Sequence, residues 1–237
     1  MSQAAIGFEP FGPMHAAVVL GFGAATWALV RHAISKPSEA RARLRRTIGL
    51  IMLGLQIGHN VYWVGFRGDS SERWPLHLCD LAGMLVVATF LMPTQRLLAM
   101  AYFWGVSLSS LAFIIPVLRV GPASVEFWSF WLSHWAIVGG AVYLALVERY
   151  RPTLRDAVWT AGVTVGVGLV LIPVNMRLGT NFMYVGEAGG PTAFLGSWPL
   201  PRLPLLALAA LLLHVMGYLP WMLSRPRQRP MPTEPRA

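Results

Sequence analysis

The sequence predicts an all-α integral membrane protein, a bundle of seven transmembrane helices with its N-terminus outside and its C-terminus in the cytoplasm. Of its 237 residues, 55% are hydrophobic and only 12% are charged, which is about half the charge of a soluble domain. Helices of about 20 residues cross the hydrocarbon of a bilayer and satisfy their own backbone hydrogen bonds there. Seven apolar blocks have about this length: 14–33, 47–66, 76–93, 97–118, 126–148, 157–175 and 202–224.

The first block is predicted to be a retained span. The preceding residues 1–13 contain no Lys or Arg, whereas a secretory signal begins with positive charge. Six basic residues follow the block between Arg31 and Arg46. Further along, the turn Thr94-Gln95-Arg96 is so short that the third and fourth blocks must form an antiparallel hairpin. Proline, which stops or kinks helices, lies at or near the ends of later blocks, at Pro93, Pro116, Pro173 and Pro220.

The orientation follows from the distribution of Lys and Arg. With the N-terminus outside, fourteen of the 19 basic residues fall on the cytoplasmic side and five on the outside. The positive-inside rule favours this arrangement. Residues 1–224 then form one transmembrane domain, and the basic segment 225–237 is predicted to be a disordered cytoplasmic tail. The loop 176–201 is external and contains four aromatic residues, so it is predicted to be structured.

The net charge of +9 does not indicate a nucleic-acid partner. The basic residues lie between the apolar blocks and form no basic face, so they are topology signals. The predicted partners are membrane phospholipids, with no nucleic acid, and a homo-oligomer is compatible with the sequence. Cys79 is the only cysteine, which excludes an intramolecular disulfide.

Polar residues are concentrated in the outer halves of the spans, whereas the inner halves are almost entirely apolar. Polar groups are costly inside a membrane and are therefore functional candidates. Four segments place polar residues at the same depth. These residues are His59 and Asn60 in the second span, His77, Cys79 and Asp80 in the third, His134 in the fifth, and Asn175, Arg177 and Asn181 at the end of the sixth.

A thiol and an imidazole at matched depth are the minimum set for nucleophilic acyl transfer, in which histidine takes the thiol proton and the thiolate attacks an ester. Cys79 and His134 are the candidates. The sequence leaves open whether they touch. It also leaves open that Cys79 is an inert packing residue and that His59 only links two helices. Three serines of the fourth span are interpreted as small contacts between helices: Ser107, Ser109 and Ser110.

Several motifs resemble the signatures of the YwaF-like bacterial integral membrane proteins, from the second span to the seventh. The stretch Asn-Met-Arg-Leu-Gly-Thr-Asn-Phe-Met-Tyr at 175–184 is the most specific of them. The others are Pro75-Leu76-His77-Leu78-Cys79-Asp80, Ser133-His134-Trp135 and Gly196-Ser197-Trp198-Pro199.

That family is similar to vertebrate transmembrane protein 164, an acyltransferase that moves a polyunsaturated acyl chain from a phospholipid to an ether lysophospholipid. A Cys and a His in the membrane are its catalytic pair. The resemblance implies that Cys79 is the nucleophile and His134 the base. It also implies acyl transfer between lipids without acyl-CoA, and a location in the bacterial cytoplasmic membrane.

The first hypothesis is therefore a lipid acyltransferase that needs no cofactor and no metal. Arg177 and Arg119 are expected to hold a lipid phosphate. Orientation of reacting groups and oxyanion stabilisation are assigned to His59, Asn60, His77, Asp80, Asn175 and Asn181.

The second hypothesis is a non-enzymatic binder or transporter of a small or lipidic ligand that uses the same outward-facing cavity. It ranks lower because transporters usually show midplane polar groups and an internal repeat. A retinal photoreceptor needs a lysine within a span, but the only lysine is Lys36, in the first cytoplasmic loop. A haem or metal site is disfavoured because no span carries two histidines at helical spacing.

Overall fold

The computed structural model describes residues 7–66, 74–186 and 201–224, apart from the side chain of Trp63. Within these ranges the chain is helical and contains no strand. The predicted basic tail 225–237 and most of the predicted external loop 176–201 lie outside the described residues.

Seven helices follow one another along the described chain, and a short 3-10 turn, Phe182–Tyr184, precedes the last of them. Two helices contain π-helical segments, at Tyr62–Phe66 and Phe103–Ser109. The helices are α1 (Pro13–Ile34), α2 (Ser38–Val61, continued by the first π-helical segment), α3 (Leu78–Leu91), α4 (Gln95–Ile114, including the second), α5 (Val125–Val147), α6 (Leu154–Leu178) and α7 (Arg202–Leu223).

The all-helical prediction is confirmed, and each of the seven predicted blocks coincides with a helix. Among the described residues, five helices are long and apolar enough to cross a membrane: α1, α4, α5, α6 and α7. Full spans at α2 and α3 stay predictions, as does the orientation of the termini.

Helix α2 begins at Ser38, before the predicted start at 47, because the intervening Ser, Glu, Ala and Arg residues are compatible with a helix. Its first part is therefore charged. Helix α3 has 14 residues and is about 21 Å long at 1.5 Å per residue, which is less than the hydrocarbon thickness. It ends at Leu91 because Pro93 disfavours the helical conformation at Met92, whose φ and ψ are −136° and 76°.

Helices α3 and α5 pack side by side and run in the same direction. A methyl group added at Gly83 would lie 3.7 Å from Cγ1 of Ile137, and one at Gly140 would lie 2.9 Å from Cγ1 of Val86. The two contacts therefore occur in the same order along both helices, as expected for a parallel pair. The methyl group added at Gly83 would also lie 2.5 Å from Oε1 of Gln56, so α2 also packs against this part of α3.

Helix directions alternate, so the beginnings of α1, α3, α5 and α7 lie at one end of the bundle, called here the N-terminal end. The backbone N–H of Phe8 donates to the carbonyl of Arg119 over 3.1 Å. His15 is buried and Nε2 contacts the carbonyl of Phe113 at 2.8 Å. These bonds join the start of α1 to the end of α4 and the connection that follows it.

An ion pair joins three helices at the opposite end. Nε of Arg45 in α2 lies 3.2 Å from the carboxylate of Glu148, directly after α5. The same guanidinium donates to the carbonyl of Phe90 near the end of α3. Arg45 is 7% exposed, so its charge depends on these partners for stabilisation.

Candidate functional site

The first turn of α3 carries three of the predicted site residues at the N-terminal end. His77 is the N-cap, and its backbone N–H donates to Oδ2 of Asp80 over 3.1 Å. A carboxylate in the first turn is stabilised by the helix dipole. Asp80 therefore helps to begin the helix whose first turn contains Cys79.

Cys79 is half-buried. Ser109 of α4 is one of the polar side chains that interact with the thiol. Ser109 in turn donates to the carbonyl of Trp104 over 2.8 Å. Both α4 residues belong to the π-helical segment Phe103–Ser109, a type of distortion that is frequent at functional sites. The sequence predicts only a packing role for Ser109, because nothing in the local sequence signals a π-helical segment.

His134 has the tautomer that a general base requires. Its Nδ1 lies 2.7 Å from the carbonyl oxygen of Phe130, one turn earlier in α5. A carbonyl only accepts hydrogen bonds, so Nδ1 carries the proton and Nε2 keeps its lone pair. The centroids of the His134 and Phe130 rings are 4.3 Å apart. The ring is thus oriented by its own helix.

His59 joins α2 to α5. Its Nδ1 lies 2.9 Å from the hydroxyl of Ser129, and the ring is near enough to His134 to interact electrostatically with it. One turn earlier, Gln56 donates to Oδ1 of Asn60 over 3.3 Å. The polar residues of α2 therefore lie beside α3 and α5, as their common depth predicts. The contact of Ser129 with His59 cannot be predicted from the sequence, because it depends on which face of α5 packs against α2.

Cys79 and His134 lie at the same level on neighbouring helices. Cys79 is four residues before Gly83, His134 is three residues before Ile137, and Gly83 faces Ile137. Each candidate is thus about one helical turn from the same contact. Among the hydrogen bonds of the described residues, none joins the thiol to the imidazole. Their catalytic pairing stays a prediction.

Asn175 holds the turn that follows α6. The helix ends at Gly179, which has a left-handed φ of 62°. Oδ1 of the buried Asn175 accepts from the N–H of Phe182 at 2.8 Å and from the hydroxyl of Thr180 at 2.9 Å. Its Nδ2 donates to the carbonyl of Phe182 over 3.0 Å. These bonds show a structural role for Asn175, and its role toward an oxyanion stays a prediction.

Asn181 continues this network, since its Oδ1 accepts from the N–H of Gly186 over 2.9 Å. Within the turn, Met183 and Tyr184 have φ values of 53° and 59°. Side chains other than glycine rarely adopt this left-handed conformation, which is found where the surroundings impose it, often at functional sites.

The turn packs against the start of α3. The ring of His77 lies 5.3 Å from that of Phe182 and 6.0 Å from that of Tyr184, measured between centroids. Burial raises the pKa of the Tyr184 hydroxyl, and the neighbouring Cys79 raises it further. The phenol therefore remains a hydrogen-bond donor near the thiol. Tyr184 belongs to the 175–184 motif, but its place near the site cannot be predicted from the sequence, because it depends on the conformation of the turn.

The model of the TMEM164 family matches residues 10–218, which is most of the chain. The chain belongs to the TMEM164 family. The comparisons with curated proteins and with solved structures found no significant match. The family and the five long apolar helices identify an integral membrane protein.

In this TMEM164-family chain, the two predicted phosphate ligands are exposed at the N-terminal end. Arg177 lies in the last turn of α6. Arg119 lies between α4 and α5, and its Nη1 donates to the carbonyls of Leu118 and Pro116 over 3.1 and 3.3 Å. Both cations are at the same end of the bundle as Cys79.

An open apolar groove of about 820 Å³ lies between α3 and α6 of the TMEM164-family chain. Trp104 of α4 contributes to its lining, and every lining residue is apolar or glycine. The groove cannot be predicted from the sequence, because it depends on the separation of two helices that are distant along the chain.

Proposed function

We propose that this protein is a membrane lipid acyltransferase in which Cys79 is the nucleophile and His134 is the general base. The observation that carries the proposal is the His134 tautomer. Its Nδ1–H is held by the Phe130 carbonyl, which leaves Nε2 able to accept a proton at the level of Cys79. Membership of the TMEM164 family supports the membrane setting. We further propose a bacterial cytoplasmic membrane as the location, with the N-terminus outside.

The chemistry consists of two ester exchanges. In the first, Nε2 of His134 takes the Cys79 proton, and the sulfur forms a bond to the carbonyl carbon of a phospholipid ester. The carbon–oxygen bond then breaks, and the leaving lysophospholipid oxygen takes the proton from His134. In the second, an acceptor hydroxyl gives its proton to His134 and attacks the thioester, and Cys79 leaves as thiolate and is reprotonated. Atoms balance without acyl-CoA.

The remaining groups are assigned by their contacts. The Ser129 contact to His59 orients the imidazole next to His134. The Tyr184 phenol is a donor near the thiol, which suits the oxyanion of the tetrahedral intermediate. Arg177 and Arg119 are suited to the phosphate of a lipid. Catalytic hydrogen bonds often tighten only when substrate binds, so rotation of the Cys79 and His134 side chains is part of the proposal.

The test uses purified protein in phospholipid vesicles with an activated acyl ester. Intact and peptide mass spectrometry should find a thioester on Cys79, absent in Cys79→Ala and strongly reduced in His134→Ala. His32→Ala, which changes an exposed imidazole at the end of α1, is the control and should retain the adduct. Full acyl transfer by Cys79→Ala would refute the nucleophile assignment.

A second candidate is a non-enzymatic lipid binder or transporter. The observation that favours it is the open apolar groove between α3 and α6, which would hold a lipid chain whether or not chemistry follows. Proteoliposomes distinguish the two functions. Movement of a labelled lipid between leaflets with unchanged acyl composition would support transport, whereas changed acyl composition that depends on Cys79 supports the enzyme.

A further inference from the structure

Two arginines lie one turn apart on the same face of α2, at the end of the bundle opposite the candidate site. Arg45 is buried and pairs with Glu148. Arg41 is partly exposed, and its Nη2 donates to the carbonyl of Lys36 over 3.3 Å. The Nε atom of Arg41 is buried, and no group among the described residues accepts a hydrogen bond from it. Arg41 therefore keeps a hydrogen-bond donor that the described chain does not use.

The positive charge of Arg41 has no counter-ion in the described part of the chain. Glu148 is engaged by Arg45. Glu39 pairs with Arg43 on the exposed side of α2. These are the ion pairs of the described residues, so no carboxylate pairs with Arg41. A partly buried guanidinium loses hydration, and a neighbouring negative charge would compensate for this loss. Arg41 therefore favours an anion from outside the described chain.

A buried phenol lies beside these arginines. The ring of Tyr143 on α5 stacks on that of Phe90, with centroids 5.3 Å apart, and the Phe90 carbonyl accepts from Arg45. The Tyr143 hydroxyl interacts electrostatically with Arg41, Arg45 and Glu148. Tyr143 is fully buried, yet its hydroxyl has no hydrogen-bond partner among the described residues. Buried hydroxyls are normally hydrogen-bonded, so this one indicates an acceptor that the described chain does not itself provide.

We propose that Arg41 and Tyr143 form a site for a phosphate-bearing anion, separate from Cys79 and independent of the proposed acyltransferase function. A phosphate group has several acceptor oxygens, so it can receive hydrogen bonds from a guanidinium and a phenol together. The Arg41 side chain is long and partly exposed, and its movement toward the anion, which opens the phenol to it, is part of the proposal.

Two sources offer this phosphate chemistry, a phospholipid headgroup and a free phosphate ester. With the N-terminus outside, this end of the bundle faces the cytoplasm. Basic pockets between helices on that side of a membrane bind the headgroups of anionic lipids. The orientation therefore favours a lipid headgroup, and the two sources give different results in a titration.

Two substitutions change the proposed site, and each has a matched control. Arg41→Gln removes the charge and keeps a hydrogen-bonding side chain. Arg43→Gln makes the same change two residues along α2, where the side chain is 74% exposed and pairs with Glu39. Tyr143→Phe removes only the unpartnered hydroxyl. Tyr102→Phe removes a hydroxyl that has partners, since it donates to the carbonyl of Gly217 over 2.8 Å and accepts from an indole N–H at 2.9 Å.

The first experiment titrates the full-length protein in a neutral detergent at constant ionic strength and follows the unfolding temperature. The ligands are phosphatidylglycerol, zwitterionic phosphatidylcholine and inorganic phosphate. Phosphatidylglycerol should raise the unfolding temperature of the wild type. Its apparent affinity should fall by about tenfold or more in Arg41→Gln and by about three- to tenfold in Tyr143→Phe. In Arg43→Gln it should stay within about twofold of wild type.

The outcomes separate the two sources from a failure of the proposal. A response to phosphatidylglycerol without a response to inorganic phosphate supports a lipid headgroup. A response to inorganic phosphate with the same dependence on Arg41 and Tyr143 supports a free phosphate ester. Equal losses in Arg41→Gln and Arg43→Gln, an equal response to phosphatidylcholine, or no response to any of the three ligands would overturn the inference.

A second measurement needs no ligand and shows whether the variants fold. Without phosphate or anionic lipid, Tyr143→Phe should unfold at or above the wild-type temperature, because it removes a buried hydroxyl that lacks a partner. Tyr102→Phe should unfold at a lower temperature, because it breaks two hydrogen bonds. An equal decrease in both variants would show that the Tyr143 hydroxyl has a partner within the protein, and the proposed site would then be wrong.

Discussion

The side chain of Asn175 is hydrogen-bonded to both backbone groups of Phe182, at 2.8 Å to the nitrogen and 3.0 Å to the oxygen. An amide side chain has one acceptor group and one donor group, so it can pair with both the N–H and the C=O of one residue, as a neighbouring strand would. Asn175 is 2% exposed and Phe182 is fully buried. The turn that covers the start of α3 is therefore anchored from the end of α6 by one residue.

Substitution of Asn175 by Ala should loosen this turn. The change removes three side-chain hydrogen bonds and leaves buried backbone groups of Phe182 unsatisfied, which should destabilise the protein by about 2–4 kcal/mol. The measurement is thermal unfolding in detergent, with limited proteolysis around residues 179–186. Asn181→Ala, which removes one hydrogen bond among the described residues, that from Gly186, is the control and should have a clearly smaller effect. Equal effects would contradict the anchoring role.

His134→Asn should separate the role of His134 as a base from its hydrogen bond to the Phe130 carbonyl. The Asn amide can still donate to the Phe130 carbonyl, as Nδ1 does, but nothing replaces Nε2. The rate of Cys79 acylation should fall by about a hundredfold or more, and the unfolding temperature should change little. Stopped-time mass spectrometry of the acyl-enzyme measures the rate. Acylation at the wild-type rate would exclude His134 as the base.

Much of the fold could be predicted because the hydrophobicity of a segment depends only on its own residues. Apolar blocks long enough to cross a bilayer must be helical, and α4, α5, α6 and α7 occur where the sequence predicts them. Helix α2 begins earlier than hydrophobicity predicts, because the Arg-containing residues 38–46 are compatible with a helix by backbone propensity.

The candidate site was predicted only in part. The level shared by His59, Cys79 and His134 follows from counting residues along spans. The surroundings of Cys79 do not, because Ser109 lies in a π-helical segment and Tyr184 in a turn with two left-handed residues. These backbone distortions are imposed by packing between distant segments, and local propensity does not report them.

Ser129→Ala should test whether the contact to His59 serves the site. Removing this hydroxyl removes one of the contacts that position the imidazole, so acylation should slow by about three- to tenfold, the equivalent of one hydrogen bond. Ser224→Ala is the matched control, since its hydroxyl likewise donates to a carbonyl of its own helix, that of Trp221 at 3.2 Å, at the opposite end of the bundle. His59→Ala combined with Ser129→Ala should be no slower than His59→Ala alone, because coupled residues are not additive. Additive losses of the acylation rate in the double variant would indicate that the two side chains act independently.

The Arg45 and Glu148 pair should stabilise the end of the bundle opposite the candidate site. The side chains are 9% and 27% exposed, so Arg45→Met leaves a partly buried carboxylate without its partner and should destabilise the protein by about 3 kcal/mol. Combining Arg45→Met with Glu148→Leu should recover most of this loss, because no charge is then left unpaired.

The exposed pair Arg43 and Glu39, at 3.9 Å and 74% and 88% exposed, is the control. Arg43→Ala should leave the unfolding temperature unchanged because water screens that pair, and an equal loss in both cases would show that burial does not determine the contribution.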